Sequence, residues 1–158
     1  MIRLTVRPTV PTYGAGVVLR VVLGVVFTGM AVGQLASWAA MPSILDAYRL
    51  LPAPALPVLA AGLIGAELVC GVWFLARPRS HGAAPVWIYT AVSLVWAGLG
   101  VQAYVRGLRV DNCGCFGVYL PQRLSLFVLA QDALLLFYAA LLVRGVLRPS
   151  RIVLGEAR

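Results

Sequence analysis

Four long apolar stretches separated by short polar breaks organise this chain: Gly14 to Trp38, Pro54 to Ala76, Ala83 to Tyr104, and Leu124 to Val146. A helix rises about 1.5 Å per residue and the hydrocarbon layer is about 30 Å thick, so a span needs roughly 20 apolar residues. Each stretch is long enough. The connections are short, which forces neighbouring helices to run antiparallel. The pattern therefore predicts an all-α integral membrane protein, a four-transmembrane-helix antiparallel bundle forming a single membrane domain over residues 1–158. In Met41 to Pro52, Ile44, Leu45, Tyr48 and Leu51 recur at helical spacing opposite Ser43, Asp46 and Arg49. This segment is too short to span and reads as an amphipathic helix lying on the membrane face. Gly29 and Gly33 form a small-xxx-small face suited to close packing of another helix.

Composition agrees with the pattern. Hydrophobic residues make up 61% of the chain and charged residues 11%, and the mean hydropathy is +0.92, more apolar surface than one soluble core can hide. The net charge of +8 comes with 13 basic residues, all arginine, placed mostly in connections and tails. They report topology, and no nucleic-acid partner is expected. Arg3, Arg7, Arg77, Arg79, Arg144, Arg148, Arg151 and Arg158 share one side; Arg49, Arg106, Arg109 and Arg123 share the other. That excess places both termini in the cytoplasm and the third connection outside a multi-pass cell-membrane protein. The first stretch contains Arg20 and outruns the usual h-region of a signal peptide, so it reads as a retained helix.

The third connection carries the densest chemistry, Cys113-Gly114-Cys115-Phe116-Gly117 preceded by Asn112. Two thiols two residues apart, set in a polar break beside glycines, are expected at the surface. Their Cα atoms fall just inside the range a disulfide tolerates, in a small strained ring, and strain makes such a bond a better oxidant. Gly114, Asn112 and Gly117 allow the positive φ values the turn needs, and Arg109 and Arg123 favour thiolate over thiol. Three readings stay open: a redox-active dithiol, an inert structural disulfide, and a metal site. The last lacks a nearby methionine or histidine to complete a copper(I) site, because the one histidine, His81, falls on the opposite membrane face; no metal is assigned. Cys70 lies more than about 20 Å of helix rise from the pair and reads as a small packing residue.

Glu67 and Asp132 both fall near the bilayer midplane, where a charged carboxylate costs several kcal/mol. Each should face the bundle interior and either pair or stay protonated. Gln34 and Gln131 are candidate hydrogen-bond partners and Arg20 a candidate ionic partner, although Arg20 also reads as an interfacial anchor. Two readings stay open here, a polar pocket for a quinone or a proton path, and an interhelical clasp.

From about Arg20 to about Leu142 the chain resembles the methylamine utilisation protein MauE family within the DoxX-like superfamily. The resemblance is carried by Arg20, Gly24 and Phe27, by Tyr48-Arg49-Leu50-Leu51-Pro52, by Glu67-Leu68-Val69 with Gly71, and most specifically by Cys113-Gly114-Cys115-Phe116-Gly117. It implies a four-helix membrane protein of extracytoplasmic thiol redox, or of maturation of a disulfide-containing enzyme, working with a thioredoxin-like partner or secreted client. Two departures stand out: Gln34 where relatives often carry lysine, and Gln131-Asp132 where they carry an Arg-Asn pair. Three functions follow: a thiol:disulfide oxidoreductase using Cys113 and Cys115, a non-enzymatic assembly factor, and a membrane subunit binding quinone or lipid through Glu67 and Asp132. A single thiol pair cannot relay electrons alone, so either a quinone or a second protein must complete the circuit.

Overall fold

The computed structural model describes residues 11–80 and 82–147, and within them every regular element is helical. Four helices are long and apolar enough to cross a membrane: α1 (Pro11–Ala36), α3 (Leu56–Ala76), α4 (Ala84–Val105) and α5 (Leu126–Leu147). A short α2 (Met41–Asp46) follows α1, and single 3-10 turns cover Trp38–Ala40 and Ala53–Ala55. The termini with Arg3, Arg7, Arg148, Arg151 and Arg158, and also His81, lie outside the described residues.

The helix boundaries follow from local chemistry. Helices α2, α3 and α4 each begin with proline in the first turn, where its missing N–H is harmless and its fixed φ is already helical. The last turn of α3 closes on Arg77, whose N–H bonds the Trp73 carbonyl, and Pro78 prevents continuation. The segment after α1 is shorter than its amphipathic pattern suggests. It stops at Asp46, because Arg49 takes a left-handed backbone at φ 47° and turns the chain. Its apolar face also lies against protein: Met41, Leu45 and Tyr48 are buried in the bundle, whereas Leu51 is exposed.

The helix pairs in most extensive contact are α1 with α3, α4 with α5, and α3 with α4. Glycine brings the first pair together. A Cβ on Gly71 would lie 2.7 Å from the Thr28 backbone nitrogen, and one on Gly24 would lie 3.0 Å from the Gly71 carbonyl oxygen. Those two residues, and not Gly29 and Gly33, form the close helix crossing. Phe27 and Tyr89 pack as tilted rings across α1 and α4 with centroids 4.8 Å apart, and the Tyr89 hydroxyl donates to the Leu135 carbonyl on α5 at 2.8 Å. Outward faces carry Val18, Val25, Val58, Leu94, Phe127 and Phe137, all exposed. Such a surface is stable against lipid and not against water.

Side chains tie the connections together at each end. At one end Gln102 donates to the Tyr48 carbonyl at 2.9 Å, and Arg106 donates to the Arg49 carbonyl at 3.1 Å. The α1–α3 and α4–α5 connections therefore sit side by side. At the opposite end Arg20 donates to the Ser80 carbonyl in the α3–α4 turn, with its guanidinium 5.8 Å from the centre of the Phe74 ring.

Candidate functional site: a dithiol loop seated on the bundle

The connection from α4 to α5 folds as a narrow-necked loop. The Cys113 N–H bonds the Gln122 carbonyl at 2.8 Å and the Leu124 N–H bonds the Val110 carbonyl at 2.9 Å, closing the neck. Asn112 organises the tip. Its Oδ1 accepts from the Gly114 N–H at 3.0 Å and its Nδ2 donates to the Gly117 carbonyl at 2.8 Å. Gly114 and Gly117 adopt φ of 85° and 63°, a region that side-chain-bearing residues rarely enter. Their spacing in the pentapeptide thus serves the turn as much as the thiols.

This loop does not stand out in solvent. Cys113 is buried, at 2% exposure, and Cys115 is partly buried, so the expectation of two surface thiols needs correction. The loop is drawn into the bundle by small residues beneath it. A Cβ on Gly33 would lie 2.8 Å from the Phe116 carbonyl oxygen, and Gly29 lies under the Phe116 ring. The small-xxx-small face of α1 therefore receives the Cys-Gly-Cys-Phe loop where a helix was expected. Gly117 is pressed against Ser37, whose hydroxyl accepts the Val118 N–H at 3.3 Å.

Two side chains hold the thiol-bearing backbone by hydrogen bonds and a third packs beside it. The Tyr48 hydroxyl donates to the Cys113 carbonyl at 2.9 Å, and burial pushes this phenol well above its ordinary value, so it remains a donor. Gln34, fully buried, donates through Nε2 to the Cys115 carbonyl at 3.0 Å. Trp96 lies 3.5 Å from the position of a Gly114 Cβ and donates its indole N–H to Glu67 Oε1 at 2.6 Å. Neither Tyr48 nor Trp96 stood out as a site residue in the sequence. The available signal was a polar tip on a buried aromatic ring, which needs a partner inside a membrane protein.

The two sulfurs lie 3.1 Å apart as free thiols in hydrogen-bonding contact. A thiol S–H directed from Cys115 to the Cys113 sulfur stabilises a thiolate there, and it outweighs burial in bringing Cys113 down to about 7. Cys115 is pushed well above the ordinary thiol range, first by its hydrogen bond with Cys113, then by burial, then by the nearness of the acidic groups Cys113, Asp132 and Glu67. One proton is thus shared unequally, as two interacting sites require. Arginine is not the cause. Arg123 pairs with Asp111 at 3.2 Å on the exposed rim.

The intramembrane polar residues divide. Glu67 is fully buried on α3, bonds Trp96 on α4 and meets Gln34 on α1, so it clasps three helices beneath the dithiol. Asp132 is buried on α5 with Oδ2 facing the space left by Gly100. Gln131 is exposed on the other face of α5, and Arg20 grips Ser80 at the opposite end of the bundle. Cys70 is buried with its sulfur 3.3 Å from the Pro85 carbonyl oxygen, a packing position. Among the described residues no three His, Cys, Asp or Glu side chains converge as metal ligands.

Fold and site together define a multi-pass helical membrane protein that carries a dithiol in a loop seated on its bundle. Residues 13–145 match the family model described as methylamine utilisation protein MauE, and the chain belongs to that family. No curated protein and no solved structure matches it.

Proposed function

We propose that this membrane protein exchanges thiols and disulfides through Cys113 and Cys115, on the extracytoplasmic side, with a thioredoxin-like protein or a secreted client. The observation that carries the reading is the asymmetric pair: two sulfurs 3.1 Å apart with the Cys113 thiol drawn down to about 7. Thiolate is the attacking form, and a thiol whose value lies near ambient pH is the most effective attacker. Written from the dithiol, the Cys113 thiolate attacks one sulfur of a partner disulfide and forms a mixed disulfide, and the released partner thiolate takes up a proton. Cys115 then loses its proton and attacks Cys113 Sγ, which releases the second partner thiol and leaves a Cys113–Cys115 disulfide. Two electrons pass to the partner; the reverse sequence oxidises it. A single pair serves half of such a cycle, so the second protein completes it. The excess of arginine on the side of both termini supports the orientation.

Differential alkylation in intact membranes across a series of redox buffers tests this. Cys113 and Cys115 should titrate together as one two-electron couple, reached by a membrane-impermeant reagent added outside. If the pair stays reduced throughout, or is labelled only from the cytoplasm, the reading fails.

A further inference from the structure

Beneath the dithiol lie two buried oxygens without a hydrogen-bond partner, Gln34 Oε1 and Glu67 Oε2. They belong to side chains that meet and that are both fully buried. Buried polar atoms in native structures are nearly always satisfied, so two orphans on side chains that meet call for an explanation. An amide oxygen only accepts, and an ionised carboxylate only accepts. Turning the amide over gives no relief, because its oxygen would then face the Cys115 carbonyl at the 3.0 Å now spanned by Nε2. A single proton on Glu67 satisfies both atoms. Its O–H then donates to Gln34 Oε1, and every donor runs the same way: Trp96 N–H to Glu67, Glu67 O–H to Gln34, Gln34 N–H to the Cys115 carbonyl. Such a chain is mutually reinforcing.

We propose that Glu67 is held as a neutral carboxylic acid and is a positioning residue for the dithiol, orienting the Gln34 amide so that it grips Cys115. The dithiol's use of this grip rests on the thiol-exchange reading; the proton on Glu67 does not. Without the proton neither orphan oxygen has a donor, the amide turns its N–H towards the carboxylate, and the Cys115 carbonyl is released. The titratable groups that face Glu67 are Cys115 from the loop and Cys70 on its own helix; Cys113 from the loop, Asp132 from α5 and Tyr48 from the segment after α2 lie around Cys115 in turn. Its partner on α1 is the uncharged Gln34.

Infrared spectroscopy of the full chain in lipid nanodiscs at neutral pH tests the protonation. A carbonyl band of a protonated carboxylic acid should disappear in Glu67→Gln and persist in Asp132→Asn. A wild-type spectrum in which Glu67→Gln removes only carboxylate bands overturns the proposal. Positioning is read from the maleimide alkylation rate of Cys115 in a Cys113→Ser background. Glu67→Gln, which keeps a donor towards Gln34 and an acceptor for Trp96, should stay within about twofold of the Glu67 parent. Gln34→Leu and Glu67→Leu should each raise the rate about tenfold, the effect of one lost hydrogen bond. If Glu67→Gln matches Glu67→Leu, or if Gln34→Leu leaves the rate unchanged, Glu67 does not position the thiol. These readouts need no exchange partner, so a failure of thiol exchange in the redox titration is recorded separately.

Discussion

The two ends of the bundle solve one structural problem with different chemistry. At each, a side chain of α1 reaches out of the helix and holds the carbonyl of an irregular segment: Arg20 holds Ser80, and Gln34 holds Cys115. The two positions are fourteen residues apart, almost four turns, and therefore lie on nearly the same face of the helix. Arg20 brings a permanent charge, always protonated, and lies over the Phe74 ring. Gln34 is neutral, and its orientation is set by what lies behind it. The thiols follow the same division. Cys70, in the half of α3 nearer Arg20, bonds the Pro85 carbonyl, whereas Cys113 and Cys115 bond each other, with Asp132 and Glu67 within reach of Cys115. One end is built to stay fixed; the other is built so that its chemistry depends on its surroundings.

The strongest break in this comparison removes the mutual dependence of the two thiols. In Cys115→Ala the Cys113 sulfur loses its S–H donor, so its titration should move up from about 7 towards the ordinary thiol value. If the rise is about two units, the thiolate fraction at neutral pH drops about fiftyfold, while the intrinsic nucleophilicity of the remaining thiolate rises about eightfold. The alkylation rate of Cys113 at pH 7 should therefore fall roughly sixfold, with a pH midpoint displaced upwards. Stopped-flow alkylation across about pH 6 to 10, roughly two units either side of the mean of the two values, measures both quantities. An unmoved midpoint would show that the loop backbone, and not Cys115, sets the acidity of Cys113.

A pair of glycine substitutions separates stability from thiol chemistry. Gly71→Ala drives a methyl group to 2.7 Å from the Thr28 backbone nitrogen, and two helix backbones must part to admit it. Overpacking of this kind costs about 1–3 kcal/mol, so the unfolding midpoint in detergent should drop while Cys113 and Cys115 alkylate as in the unmodified chain. Gly33→Ala meets the Phe116 carbonyl at 2.8 Å, and here the neighbour is a loop that can shift. A smaller loss of stability and a clear change in thiol alkylation rate are expected. If the two variants gave the same profile, the loop would be as rigidly packed as the helix crossing.

The spans were legible because the bilayer imposes one length on every crossing helix, and each observed end falls within about three residues of its expected place. The pentapeptide was legible for a similar reason, since glycines at fixed offsets from two thiols specify a turn. What lay beyond reading was which surfaces meet. Gly29 and Gly33 announced a close approach, but glycine spacing does not say whether a helix or a loop arrives. Arg20 was a reasonable partner for a buried acid until its distance from Gln34, roughly 21 Å of helix rise, put it at the other end from the residue that meets Glu67. Tyr48 matched an amphipathic pattern, and only the fold shows that its hydroxyl ends on Cys113. Burial of the dithiol itself was hidden, because a short polar break reads as solvent-exposed whether or not the helices leave room for it.

The smallest expected effect concerns the rim of the same loop. Asp111 and Arg123 pair at 3.2 Å across the neck, and both side chains are about four-fifths exposed. Water and salt screen such a pair, and the ordering of two long side chains offsets most of what remains, so Asp111→Asn should change stability by less than about 0.5 kcal/mol. The neck keeps its two backbone bonds, Cys113 to Gln122 and Leu124 to Val110, so the alkylation rates of Cys113 and Cys115 should be unaltered at any salt concentration. A salt-dependent rate in the unmodified chain that vanishes in Asp111→Asn would mean that surface charge governs the dithiol. It would then no longer be true that the chemistry at this end is set from beneath, by groups inside the bundle.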